Sequence, residues 1–354
     1  MINRTKALVD ALEHVARMTR ERDRALMDAT LVSSLLDLLP VQCVSQWQLV
    51  TEAGERRWLA GPSQCRGQLV AATDQIDPHW AELIPFESLP LHASAAVGQT
   101  AVRSVTTDAA GQSQHLLVMA LPLGQGSEGV IELSSPEPLD GTHERLVQGV
   151  LRIVHNFRSL LDYSERDTLT GLLNRKSFDE TFMRATVLEA TREFGSAEDR
   201  RRGLSQKHWL GVADIDHFKL VNDQYGHLIG DEVLVLMARI LRSTFRYHDR
   251  AYRFGGEEFV VLLTAPDDAA AGAAFERLRH NLAEFAFPRV GRVTASIGYS
   301  DVRPGDTPQA AFDRADQATY YAKQNGRNQV RSHAELVALG LLDSGPGVGE
   351  IELF

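Results

Sequence analysis

Apolar positions Leu8, Leu12 and Val15 step by four and three, and 31–39 is densely apolar. That spacing predicts helix over 2–38, stopped by Pro40. From 41 to about 135 the pattern shortens to brief apolar runs. VSQWQLV and RRWLA bracket Glu52-Ala53-Gly54, and HLLVMALPL and GVIELSS bracket Gly124-Gln125-Gly126. Each pair predicts a β-hairpin, so this stretch reads as a small domain mixing helix and sheet. Leu146, Val150, Ile153, Phe157, Leu160 and Ser164 then step by 4, 3, 4, 3 and 4. That is a heptad seam, read either as a parallel dimer-forming linker or as one amphipathic helix packed on its own domain.

Further on, WLGVADI reads as a buried strand and 228–247 as helix. AYRF and FVVLLT form a hairpin, 266–285 a second helix, RVTASIGYS a strand and 308–324 a third helix. This order predicts an α+β layout, an antiparallel-containing sheet with helices on one face. Residues 192–207, with Arg200-Arg201-Arg202, read as an exposed loop.

A chain of 354 residues is long enough for two domains. With 44% hydrophobic and 24% charged residues it is globular rather than disordered. Its net charge of −10 argues against general nucleic-acid binding, which needs a basic face. Cys43 and Cys65, with no CxxC or histidine cluster, predict free thiols in a reducing cytoplasm. The charged start does not read as a signal peptide, and no run of ~18 apolar residues predicts a membrane span.

The chemistry concentrates in Arg253-Phe254-Gly255-Gly256-Glu257-Glu258-Phe259. Two glycines give a hairpin tip without side chains, against which a bulky ligand can lie. Two carboxylates at its exit suit a hard cation that neutralises phosphates. Asp214-Ile215-Asp216 closes the WLGVADI strand and presents carboxylates to the loops there. Next come Lys219, read as a buried cation, and the amide–carboxylate pair Asn222 and Asp231 beside Gly226 and Gly230.

Together, Asp167-Thr168-Leu169-Thr170-Gly171-Leu172-Leu173-Asn174-Arg175, DIDHFKLVND, YGHLIGDEVL, RFGGEEF, VTASIGYS and YYAKQNGRNQV resemble, in order, the motifs of the GGDEF family of diguanylate cyclases. Glu257 stands where the family name has Asp. The resemblance implies a palm-like catalytic domain over 165–332 that condenses two GTP into cyclic di-GMP and two pyrophosphates. It implies Mg²⁺, with Mn²⁺ as a substitute, held by Asp214, the Ile215 carbonyl and Glu257, with Glu258 aiding metal binding or proton acceptance. Lys219, Lys323 and Arg327 would neutralise phosphates, and the Phe218 and Lys219 amides would cradle them. Asn222 and Asp231 would read guanine, and Gly255 and Gly256 would leave room for base and ribose. Each domain supplies a half-site, so a homodimer is implied.

Arg246-Tyr247-His248-Asp249 resembles the family's RxxD inhibitory product site, joined by Arg277; otherwise it is a surface salt bridge at a helix end. Residues 30–138 resemble a GAF domain more weakly, with PAS as the alternative. Trp47, Trp58, Cys65 and His115 are candidate lining for a ligand pocket there, or ordinary core and surface residues. The expected organisation is an N-terminal helix (1–29), a GAF-like sensor domain with an unknown ligand (30–138), a coiled-coil linker (139–164), the catalytic domain (165–332) and a tail (333–354). A catalytically silent cyclic di-GMP receptor is the alternative function.

Overall fold

The computed structural model describes residues 13–20, 23–52, 54–67, 80–98, 100–107, 111–124, 127–183 and 207–343. It divides into two compact units, Met1–Ser164 and Glu165–Phe354.

The first unit is built on strands β1 (Cys43–Glu52), β2 (Glu55–Cys65), β3 (Ile84–Pro85), β4 (Val102–Thr107), β5 (Ser113–Gly124) and β6 (Ser127–Ser135). They form an antiparallel sheet in the order β3-β2-β1-β6-β5-β4. Side chains alternate between its faces. Leu117, Met119 and Leu121 pack with the helices Arg24–Leu38 and Gly141–Glu165, through Leu31, Leu35, Val147 and Val154. Val118 and Val130 face the other way, against Trp58, Phe86 and the helix Pro90–Gly98.

Three expectations for this unit are corrected. The helix predicted over 2–38 is not continuous: residues 13–20 are helical, and a new helix starts at Arg24. Asp23 is in extended conformation and its carboxylate caps the amides of Ala25 and Leu26. The cysteines are not free thiols. Cys43 and Cys65 are directly opposed partners in the β1–β2 register, with Cα atoms 4.1 Å apart, and form a disulfide. The heptad seam splits. Val150 is buried in the unit's own core and Leu146 and Phe157 pack against it, while Ile153 is 39% and Leu160 68% exposed. Only part of the predicted seam is therefore open to a partner.

The second unit holds β7 (Leu173–Asn174), β8 (Lys207–Ile215), β9 (Arg250–Gly255), β10 (Glu258–Ala265), β13 (Ala295–Asp301) and β14 (Val330–Ser332) in one sheet, ordered β14-β13-β8-β10-β9-β7. A small ribbon of β11 (Ala286–Phe287) and β12 (Gly291–Arg292) stands apart from it. The β13–β14 and β7–β9 pairs are parallel and the others antiparallel. Helices cover both faces, not one as expected. Every residue of β8 from Trp209 to Ile215 is buried, as a central strand covered on both sides requires.

On one face, Met237, Leu241, Phe275 and Leu278 of the helices His227–Thr244 and Asp268–Glu284 meet Phe259, Val261 and Leu263. On the other, Phe178, Phe182, Ala311 and Ala315 meet Leu210, Val212, Val260 and Leu262. The helix Pro308–Gln324 presses directly onto β13. A Cβ at Gly298 would stand 2.3 Å from the Ala315 carbonyl oxygen, so only glycine permits this approach. The approach carries Lys323, in the helix's last turn, to the end of the central strands. Past residue 332 the chain is not simply a tail: His333–Ala338 is a helix with Leu336 buried.

Candidate active site

In the antiparallel register Asp214 of β8 stands opposite Glu258 of β10, so two carboxylates meet at one end of the central strands. The turn between β9 and β10 needs its glycines: Gly255 and Gly256 have φ of 151° and 51°, and a Cβ on either would point into open space. Arg253 braces the turn. Its guanidinium donates to the Gly256 carbonyl at 3.1 and 2.8 Å and to Asp167 Oδ1 at 3.0 Å. Asp167 also accepts from the Thr170 amide and hydroxyl. Burial works against that charge, but Thr170 and Arg253 hold the carboxyl below its usual range.

The carboxylates strain against one another electrostatically. Burial pushes Asp214 up, and the ammonium of Lys323, whose Nζ lies 2.7 Å from Asp214 Oδ2, opposes the rise. Burial and then the nearby Asp214 raise both Glu257 and Glu258. Asp316, on the same helix as Lys323, is raised by burial and adds its own repulsion to Asp214 and Glu258. One ammonium thus stands among four carboxyl groups, and the donor set calls for more positive charge. Among the described residues no three acidic, histidine or cysteine side chains converge as a ready metal cage. A hard cation that takes one or two carboxylates and completes its shell with phosphates and water needs no such cage. The set therefore fits a hard divalent cation.

Phe218 and Lys219 head the helix Phe218–Tyr225, where the first amides have no carbonyl a turn earlier to bond. Phe218 is buried, but Lys219 is exposed, not the buried cation expected, because the helix's first turn faces out of the core. Asn222, in that helix, lies against Gly230, the residue before Asp231 early in the helix His227–Thr244. A Cβ at Gly230 would sit 2.0 Å from Asn222 Oδ1, so the glycine makes room for the amide. Arg327 is exposed, at φ 61°, with its amide bonded to the Ala322 carbonyl.

A second constellation gathers at the end of the helix His227–Thr244. The Arg246 amide donates to Asp249 Oδ2 at 2.9 Å and the Asp249 amide returns to the Arg246 carbonyl at 3.1 Å. The Arg277 guanidinium donates to the Thr244 carbonyl at 3.3 and 3.2 Å. Asp249 is raised by burial, against the pull of the Arg246 amide bond.

The pocket candidates of the first unit separate. Trp47 and Trp58 both pack edge-on to His92, whose Nε2 is 3.0 Å from Glu132. Cys65 is in the disulfide. His115 shares the opposite face with Leu117 and lines a cavity of about 260 Å³ with Arg103, Leu139 and Glu144.

Sequence reasoning gave no role to Asp316, Arg175 or the side chain of Arg253, and it aimed Asp216 at the loops beside Asp214. Asp216 is buried and accepts from Thr294 and Ser296 hydroxyls at 2.7 Å and from the Asn328 amide at 3.0 Å. It thereby pins the 326–328 turn, which carries Arg327, to the end of β8. The signal was present in the second Asp of DID, but its three partners lie about eighty residues or more downstream. Arg175 lies over the Phe254 ring, and its charge opposes the rise that burial and Asp214 impose on Glu258.

Residues 164–329 match the family model described as diguanylate cyclase, GGDEF domain, so this segment is a GGDEF domain. Among curated relatives, diguanylate cyclase DgcP of Pseudomonas aeruginosa is 41% identical over 167 residues, 46% of this chain and 23% of the relative. Diguanylate cyclase A of Treponema denticola is 36% identical over 188 residues, covering 52% and 48%. The chain thus spans about half or less of the length of these relatives. A crystal structure of the GGDEF domain of DgcB from Caulobacter crescentus, in complex with c-di-GMP, is 31% identical, covers 48% of this chain and 96% of that one, and has a TM-score of 0.43.

Proposed function

We propose that the chain is a diguanylate cyclase: two GTP condense into cyclic di-GMP with release of two pyrophosphates. The observation that carries this reading is the Asp214–Glu258 pair at the GGEEF turn, with Lys323 drawn onto it. Asp214, the Ile215 carbonyl and Glu257 would hold Mg²⁺, which when bound lowers the pKa of the attacking hydroxyl and neutralises the leaving oxygens. Glu258 takes the proton of the ribose 3′-hydroxyl, a role suited to a carboxyl whose pKa burial raises. Lys219, Lys323 and Arg327 draw the β- and γ-phosphates, and the amides of Phe218 and Lys219 cradle them. Asn222 and Asp231 hold the guanine edge. The open space over Gly255 and Gly256 admits base and ribose.

The second unit of each copy supplies one half-site, so turnover needs two copies. Arg246, Asp249 and Arg277 form a product site: guanidinium groups suit guanine O6 and N7, and occupancy lowers activity. The first unit is a GAF-like sensor domain, with PAS as the alternative. Its support is the antiparallel sheet packed on both faces by helices. No helix among the described residues is long and apolar enough to cross a membrane, and a GTP-consuming site belongs in the cytoplasm.

The test is the purified chain with GTP and Mg²⁺, products separated by chromatography. Cyclic di-GMP and pyrophosphate are expected. Absence of product, with tight cyclic di-GMP binding that depends on Arg246, would replace the cyclase reading with that of a receptor.

A further inference from the structure

We propose that Lys323 is the resident cation of the carboxylate cluster and excludes a divalent metal from Asp214 until a nucleoside triphosphate draws it away. This rests on the cyclase reading of the site. Asp214 has a side chain only 8% exposed, and its Oδ2 is bonded by Lys323 Nζ at 2.7 Å. A metal seated on that oxygen and the ammonium cannot share it.

Lys323 is also free to leave. Its side chain is 34% exposed and a lysine reaches its partner through a flexible four-carbon stem. Asp316 lies seven residues earlier on the same helix, two turns away on nearly the same face. A polyphosphate offers the ammonium several anionic oxygens in place of one. When the ammonium moves to them, Asp214 is left buried and charged, and a dication becomes the favourable partner. Nucleotide and metal then bind with positive linkage that passes through a protein side chain, besides any direct metal–phosphate bond. An ion pair formed nine-tenths of the time would weaken metal binding ~10-fold.

The experiment measures Mn²⁺ binding to the full chain without nucleotide, by calorimetry and by the electron paramagnetic resonance signal of free Mn²⁺. Lys323→Met and Lys323→Gln are expected to bind Mn²⁺ ~10-fold more tightly than wild type. Lys323→Arg, which keeps a cation on Asp214, should stay weak. A non-hydrolysable GTP analogue should raise Mn²⁺ affinity more in wild type than in Lys323→Met. Equal Mn²⁺ affinity in wild type and both neutral variants would overturn the gate. That outcome differs from failure of the cyclase reading: a chain that makes cyclic di-GMP but shows equal affinities loses only the gate. A chain that makes none but shows the tightening keeps the gate and loses the cyclase assignment.

Discussion

Glu257 and Glu258 are held in ways that oppose their own ionisation, which ties activity to stability. Both carboxyls are raised by burial and by Asp214. A raised carboxyl binds more protons folded than unfolded, so its contribution to stability falls as pH rises from the ordinary Glu value of 4.5 through the folded value. Glu258→Gln should therefore melt higher than wild type at about pH 7.5, with the difference closing as pH falls toward about 4.5. It should also lose about 100-fold or more in turnover, as expected when a group acting on the reacting oxygens is removed. Thermal melts across pH, paired with a product assay, check both; a variant that melts lower at neutral pH would show that the repulsion is relieved some other way. Gly230 gives a second residue-scale test. Gly230→Ala places a methyl group onto Asn222 Oδ1, so the KM for GTP should rise with a smaller change in kcat. Unchanged KM would mean that the Asn222 amide is not the guanine contact.

At the scale of elements, Asp216 fastens the end of β8 to the start of β13 and to the 326–328 turn that carries Arg327. Asp216→Ala removes the acceptor for two hydroxyls and the Asn328 amide. Buried donors left unmet cost about 1–3 kcal/mol each. Melting temperature should drop, and GTP KM should rise as Arg327 loses its fixed position. A stable variant with native KM would show that the turn holds itself. The motif residues of this region were legible because each is local: a Gly-Gly turn, an acidic strand end, a helix start. What joins them was not. Asp214 and Lys323 are 109 positions apart, and they meet because Gly298 lets a helix settle on β13. The Cys43–Cys65 pair was hidden for a similar reason. Its register includes a shift between Ser45 and Trp47, and one residue of slip moves every side chain to the other face. Helices on both faces of the second sheet followed from the unbroken burial of β8. The WLGVADI run hinted at this without saying what covers it.

For the whole molecule, the proposed two-copy turnover asks which surface would bring the copies together. Sequence periodicity pointed to Leu146, Val150, Ile153, Phe157 and Leu160, but that row lies partly inside the first unit, since Val150 packs in its core. The exposed apolar residues of the helix Gly141–Glu165 are Ile153, Leu160 and Tyr163, at 39%, 68% and 78%. Their spacing of seven and three returns to one side of the helix, so a partner would meet a stripe rotated away from the predicted row. This changes the variant to make. Ile153→Lys with Leu160→Lys puts two charges on the exposed stripe and leaves the core intact, so each copy should fold with a native melting temperature. Dimerisation should weaken, because a charge buried at an apolar seam is costly. Specific activity should then climb with protein concentration. Phe157→Lys should instead lower the melting temperature, since Phe157 packs against the unit's own core. Light scattering and calorimetry separate the two effects. A double variant that stays dimeric with normal turnover would move the dimer contact off this helix.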